Sequence, residues 1–319
     1  MWMLSIAIFA AAVIASAPAA AAECGALQSL TTIDTIAGAN GAMLIPVRIN
    51  GSPRVLLLDT GGAMSGISEP VASELKLPTL STNTRLTGLT GAISKIYTIV
   101  PSMVIGRLVM KSQQFMILPG NPFGDNRVAG VLAPNPTLDI DLDFTAHRLR
   151  FISPDHCPGH VLYWDAAVAA AIPMRTANIG HIIVPVVLDG KEMEAVIDTG
   201  SIRTSLNLRD ARTKFGIDSD SPGVTRAGEL NNTPGVIVYQ RRFSTLAFQG
   251  VTVANPLINL IPDRIDLLRP EPAGEKTRIF RDNNALPGLL IGMDVLSKLH
   301  VYIAYKERKL YVTAASTEQ

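Results

Sequence analysis

Apolar and polar positions along this chain repeat at domain scale. From Gly41 the residues run Gly-Ala-Met-Leu-Ile-Pro-Val-Arg-Ile-Asn-Gly, and from Gly180 they run Gly-His-Ile-Ile-Val-Pro-Val-Val-Leu-Asp-Gly. Asn50-Gly51 and Asp189-Gly190 are strong hairpin signals, because a type I′ turn needs positive φ at both central residues. Each predicted hairpin returns into an apolar run, Val55-Leu56-Leu57-Leu58 or Ala195-Val196-Ile197, that stops at Asp-Thr-Gly. One offset of 139 residues separates Gly41 from Gly180 and Asp59 from Asp198. The halves are therefore internal repeats.

Downstream the parallel continues. Ser68 ahead of Glu69-Pro70, and Asn207 ahead of Leu208, predict short helices at matching offsets. Ser and Asn accept a first-turn N–H, Pro is tolerated in that turn, and Gly216 can end the second helix. Residues 84–91 and 225–228, each followed by β-branched alternation, predict hairpins with glycine-rich tips. Ordinary surface hairpins and mobile covers over a cleft both fit them. Each half then carries an apolar-apolar-Gly segment, Val128-Ala129-Gly130 or Leu290-Ile291-Gly292, and a terminal hairpin of strict alternation over 138–151 or 300–312. Such alternation predicts half-buried antiparallel strands. Residues 263–284, charged and Pro-containing, read as an exposed loop. Turn residues over 153–159 mark the boundary between halves; after it, Asp165 caps an Ala-rich helix through Ala171, or the stretch is a linker strand. The expected fold is mainly β, two homologous β-barrel-like lobes with a few short helices. Its division is 1–22, a first lobe 23–154, a linker 155–172 and a second lobe 173–319.

Composition narrows the class. The 319 residues carry a formal net charge of +1, with 17% charged residues and no run of like charge. Nothing there supports nucleic-acid binding, and the length suits two domains. Residues 1–22 read as a signal peptide: an apolar core over 4–15, Pro18 as a breaker, and Ala20-Ala21-Ala22 before Glu23 as the cleavage site. An uncleaved anchor is the alternative, but the run is shorter than the ~20 residues a span needs. Glu23 ahead of Cys24 disfavours a lipoprotein site. The expected destination is periplasmic or secreted, with no stable membrane insertion after cleavage. There Cys24 and Cys157, the two cysteines present, form one disulfide or remain free thiols. His156-Cys157-Pro158-Gly159-His160 reads as a turn, since no second His/Cys cluster completes a tetrahedral site. Neither metal nor cofactor is expected.

The chemistry lies in the duplicated acids. A carboxylate placed directly after a buried strand is costly to ionise without compensation. Two brought together share a proton, with apparent pKa values pushed apart. Such a pair can take a proton from water with one member and donate one with the other, which is the requirement of amide hydrolysis by an activated water.

With these motifs the chain resembles the aspartic peptidases, both pepsin-like and retroviral-type, over about residues 41–312. Leu290-Ile291-Gly292-Met293-Asp294-Val295-Leu296 is especially similar to the retroviral-type phrase. The resemblance implies an acid protease fold with Asp59 and Asp198 as the catalytic pair. It implies that Thr60 and Thr199 cross-link the two loops by hydroxyl-to-backbone hydrogen bonds, and that Gly61 and Gly200 let backbone N–H groups approach the carboxylates. Retroviral-type enzymes dimerise to assemble the site; here both copies lie in one chain, so a monomer is sufficient. Gly88, Leu89, Thr90, Gly91, Tyr97 and Gly228 would belong to the flap and substrate cleft. Three departures stand out. Gly62 replaces the usual Ser or Thr, which Ser201 keeps in the second half, and the lost hydroxyl would raise the pKa of Asp59. The first hairpin lacks an aromatic at its tip, with Tyr97 further along. Ala129 makes the first apolar-apolar-Gly segment less bulky. The implied function is an aspartic-type endopeptidase acting on peptide or protein substrates. The alternative is a peptide-binding pseudoprotease with weak or no turnover. A serine or cysteine hydrolase is poorly supported: there is no Gly-x-Ser-x-Gly elbow, and the five histidines stand near no nucleophile.

Overall fold

The computed structural model describes residues 24–38, 41–87, 93–123, 125–164, 169–177, 180–230, 234–262 and 286–314. The sequence readings of a signal peptide over 1–22, a loop over 263–284 and a hairpin tip at Gly88, Leu89, Thr90 and Gly91 lie outside them. Among the described residues strands dominate, with short helices at Glu69–Glu74, Leu208–Phe215 and Met293–Leu296.

Each half is built on the same hairpin. Met43–Ile49 turns into Ser52–Leu58 through Asn50 (φ 48°) and Gly51 (82°). His181–Leu188 turns into Lys191–Ile197 through Asp189 (44°) and Gly190 (76°). Both turns thus have the two positive φ values that these residue pairs favour. The registers match as well, Leu44 facing Leu57 and Ile183 facing Val196. The second strand of each hairpin also pairs in parallel with the apolar-apolar-Gly segment, Val128–Leu132 or Leu289–Ile291. Paired on both edges, it buries one face, where Leu56, Leu58, Ala195 and Ile197 are at most 1% exposed, while Pro53, Lys191, Glu192 and Glu194 are exposed. These strands belong to an eight-stranded sheet in the first half and a ten-stranded sheet in the second.

Helix ends follow local chemistry with one exception. Asn207 accepts a bond from Asp210 N at 2.7 Å, and Gly216 closes that helix in the left-handed region. Ser68 precedes Glu69–Glu74, but its side chain makes no capping bond. It ends a buried strand, and Pro70 has no N–H to offer.

The terminal hairpins do not close each lobe separately. They join edge to edge in a six-stranded sheet ordered Ser29–Asp34, Arg148–Ile152, Asp139–Asp143, Leu299–Ala304, Lys309–Ala314, Ala170–Pro173. The seam between halves is antiparallel, with Ile140 facing Ile303 and Leu142 facing Val301. Of the two readings for the Ala-rich stretch, Ala170 and Ala171 are strand; residues 165–168 lie outside the described set.

The expected half-burial fails at this seam. Leu299–Ala304 is buried at every position, and Asp139–Asp143 at all but the last. The alternate polar residues face a second layer made by the stretch after Ile152. His156 Nε2 lies 2.7 Å from Asp139 Oδ2, while Tyr302 OH (3.2 Å) and Tyr305 N (3.0 Å) donate to the same carboxyl. His300 Nε2 lies 2.6 Å from Asp141 Oδ1, and Arg150 Nη1 (2.7 Å) and the Tyr163 hydroxyl donate to Asp141 Oδ2. Trp164 stacks on His300 at 4.0 Å. A disulfide between Cys24 and Cys157 pins the start of the described chain to this layer.

Candidate active site

The hairpin strands deliver Asp59 and Asp198 to the same point. Asp59 N donates to Leu132 O and Asp198 N to Ile291 O, each at 3.0 Å. The parallel partner strand therefore fixes the backbone of each aspartate in the same way. Beyond them the two loops interlock. Thr60 N donates to Thr199 Oγ1 (3.1 Å) and Thr199 N to Thr60 Oγ1 (3.0 Å). The hydroxyls in turn donate across to backbone carbonyls, Thr60 to Ile197 O and Thr199 to Leu58 O, both at 2.8 Å. Both threonines are buried, at 0% and 1% exposure.

This interlock brings the two carboxyls together: the position of a Cβ on Gly200 lies 2.6 Å from Asp59 Oδ1 and 3.1 Å from Asp198 Oδ1, and each acid acts on the other's titration. Glycine is required beside them. A Cβ on Gly61 would overlap the Asp198 carboxyl, and one on Gly200 would lie 2.6 Å from Asp59 Cγ. Each turn also presents backbone donors to its own carboxyl, Gly61 and Gly62 to Asp59, Gly200 (2.8 Å) and Ser201 to Asp198.

Burial pushes both pKa values up, and the two acids differ. For Asp59 the desolvation is opposed by the bond from Asp198, by the backbone donors and by the charge of His181. For Asp198 the Asp59 charge and the mutual bond add to desolvation, so it lies well above the ordinary carboxylate range. The shifts belong to the pair as a unit, formed by Asp198, 6% exposed, and half-buried Asp59. The sequence reading expected the Asp59 pKa to be raised through the missing hydroxyl at Gly62; it is raised, with burial as the largest cause.

The Ser201 hydroxyl does not act on its aspartate either. It donates to Arg203 O at 3.0 Å instead of reaching Asp198, because the loop doubles back there. At Gly62 an added Cβ would stand 2.9 Å from Asp59 Oδ2. Tyr97 is half-buried within Ile93–Ile105, in register with Leu80 and Met116. Gly228 lies at the irregularity of the hairpin formed by Thr225–Glu229 and Ile237–Arg242, with φ 138°.

Two groups at the site had no clear signal in the sequence. His181, buried at 4%, occupies the position of Ala42 in the first repeat and acts electrostatically on Asp59. Asp294 accepts Thr204 N (2.8 Å) and Thr204 Oγ1 (2.7 Å), tying the loop after Asp198 to the last helix. A cavity of about 730 Å³ bordered by Pro46, Arg48, Arg54, Val71 and Arg127 includes neither aspartate. Among the described residues no His/Cys/Asp/Glu group could hold a metal ion, and no helix is long and apolar enough to cross a membrane.

Fold and site together define a bilobal, retropepsin-like acid protease. A family model described as aspartyl protease matches residues 45–133 and 184–295, more than half of the chain, and the chain belongs to that family. Among solved structures it is similar to a retropepsin-like aspartic protease from Rickettsia conorii (14% identity, TM-score 0.34, 47% of this chain and 96% of that one). It is also similar to Basic 7S globulin from soybean (10% identity, TM-score 0.46, 91% of this chain and 96% of that one). No curated protein matches it.

Proposed function

We propose that this chain is an exported aspartic-type endopeptidase that hydrolyses peptide or protein substrates with a water activated between Asp59 and Asp198. The observation that carries this reading is the meeting of two acids, one from each repeat, at the interlocked Asp-Thr-Gly turns. Ionised Asp59 takes a proton from water as its oxygen attacks the scissile carbonyl carbon, and Asp198 gives its proton to the carbonyl oxygen. In the collapse that follows, the proton on Asp59 passes to the leaving nitrogen, and Asp198 recovers its own from the oxygen. Thr60 and Thr199 hold the acids in register, Gly61 and Gly200 admit them to each other, and Ser201 shapes the turn. Tyr97, Gly228 and the tip residues Gly88, Leu89, Thr90 and Gly91 are assigned to the substrate cleft. One chain supplies both acids, so a monomer suffices. Residues 1–22 serve as the signal peptide; the disulfide fits an oxidising compartment. The two lobes, 23–154 and 173–319, flank a linker at 155–172.

The test is cleavage of a peptide library by wild type, Asp59→Asn and Asp198→Asn across pH. Wild type should cleave, and both variants should lose activity with unchanged circular dichroism; a variant that still cleaves sinks the assignment. One observation favours a second reading, a peptide-binding protein with little turnover. With Gly62 in one repeat and the Ser201 hydroxyl turned to Arg203 O in the other, neither carboxyl receives a hydroxyl from that position. Tight binding of a statine-type peptide by wild type without any cleavage of the library would select it.

A further inference from the structure

The loops that leave the two Asp-Thr-Gly turns are equivalent in the backbone but not in chemistry. In the first half the residues are Gly62-Ala63-Met64-Ser65, and at the same offset in the second they are Ser201-Ile202-Arg203-Thr204. The second loop is pinned from beneath at every residue. Met293 N donates to Ser201 O (2.8 Å), Asp294 N to Ile202 O (3.1 Å) and Ser201 Oγ to Arg203 O (3.0 Å). Thr204 is held by Asp294 (2.8 Å from its N–H), and its hydroxyl accepts Gly292 N (3.2 Å). The backbone lies so close to Gly292 that a Cβ there would stand 2.6 Å from the Arg203 carbonyl carbon. With the carbonyls turned inward, the side chains of Ile202 and Arg203 are left exposed.

Among the described residues Arg203 makes no ion pair, and its charge is not among the main influences on Asp198. It is thus an exposed guanidinium without an ion-pair partner, a short way along the chain from the Asp198 turn. Its Cα is three residues beyond Gly200, within roughly 11 Å even for a fully extended chain. A bound peptide in extended form advances roughly 3.4 Å per residue. A side chain two to four residues from the bond over the acids therefore comes within reach of the guanidinium. Arg presents a planar fork of donors that matches a carboxylate, and the matching residues of the other loop, Ala63 and Met64, offer no charge.

We infer that Arg203 is a specificity-determining residue that selects peptides with an Asp or Glu side chain a few residues to one side of the bond held over Asp59 and Asp198. The inference rests on the peptide-cleft reading above, and the experiment separates the two. Dissociation constants are measured for non-hydrolysable statine-type peptides carrying Asp, Asn or Lys at each flanking position. The proteins are wild type, Arg203→Ala and Arg203→Glu, with cleavage of a peptide library run alongside. Wild type should prefer Asp over Asn at one position by roughly three- to tenfold, an effect that shrinks with added salt. Arg203→Ala should level the series, and Arg203→Glu should turn the preference to Lys. Equal ranking of the peptides by all three proteins, or no binding by wild type, overturns the inference. If the acidic preference is present but nothing is cleaved, the endopeptidase assignment fails and the Arg203 subsite stands. Cleavage without any acidic preference keeps the endopeptidase and removes the subsite.

Discussion

Replacing Thr199 with valine removes one oxygen and keeps the shape and β-branching of the side chain. That oxygen donates to Leu58 O and accepts from Thr60 N, and the site is 1% exposed. Valine therefore leaves two buried backbone groups of the opposite repeat unpaired. An orphaned buried polar group costs about 1–3 kcal/mol, so the two together should cost about 2–6 kcal/mol. Against a total stability of about 5–15 kcal/mol, that is a large share. At about 2–4 °C per kcal/mol for domains somewhat smaller than this chain, Tm should fall by about 4–24 °C. The assay is calorimetry on the mature, oxidised protein. Thr199→Ser serves as the control, because it keeps the hydroxyl and should lose much less. Thr60→Val removes the symmetry-related oxygen, and the double variant should cost less than the two singles together, since both hydroxyls belong to one network. If Thr199→Val melts within about 1 °C of wild type, the reasoning that this interlock couples the repeats is wrong.

Other consequences follow from the electrostatics and the cross-link. Both aspartates have folded-state pKa values above the ordinary one, so between the unfolded and folded values the native state binds more protons. Stability from this pair is then fullest at low pH and declines as pH rises through the raised values. Asp198→Asn should flatten that decline and raise the Tm at neutral pH, as read from melts across pH. The charge of His181 lowers the Asp59 pKa, so His181→Ala should move the acid limb of kcat/KM to higher pH; an unmoved limb refutes the coupling. Cys24 and Cys157 close a loop with a separation of 133 residues. Their replacement by serine should cost about 2–5 kcal/mol, measured by denaturant unfolding with and without reductant.

The parts legible in the sequence are those fixed by neighbours along the chain. Asn50-Gly51 and Asp189-Gly190 dictate their turns through local φ preferences, and each turn fixes the register that carries the apolar run to its aspartate. Duplication supplies the rest, because two copies of one local rule interlock reciprocally through Thr60 and Thr199. Legibility ends where a residue's partner comes from elsewhere. Ser201 resembles a carboxylate donor until Gly292 draws the loop back and offers it the Arg203 carbonyl. Ser68 resembles a cap until its strand buries it. The lone His181 gives no sign from its neighbours that Asp59 of the other repeat is within its electrostatic reach.

The seam between the repeats is the strongest case. Asp139 and Asp141 alternate with apolar Ile140 and Leu142, which by itself describes a strand with one wet face. That face is instead covered by His156, Tyr163 and Trp164 from the following stretch and by Tyr302 from the other repeat. Burial raises the Asp139 pKa despite its bonds to His156, Tyr302 and Tyr305, so desolvation outweighs those bonds and the carboxylate is not a net source of stability. What it provides is register. Ile140 and Leu142 face the main apolar core while Asp139 and Asp141 face the polar layer. A slip of one residue would drive two carboxylates into the apolar core. Fixing Ile140 opposite Ile303 fixes the register in which the two repeats join across this sheet.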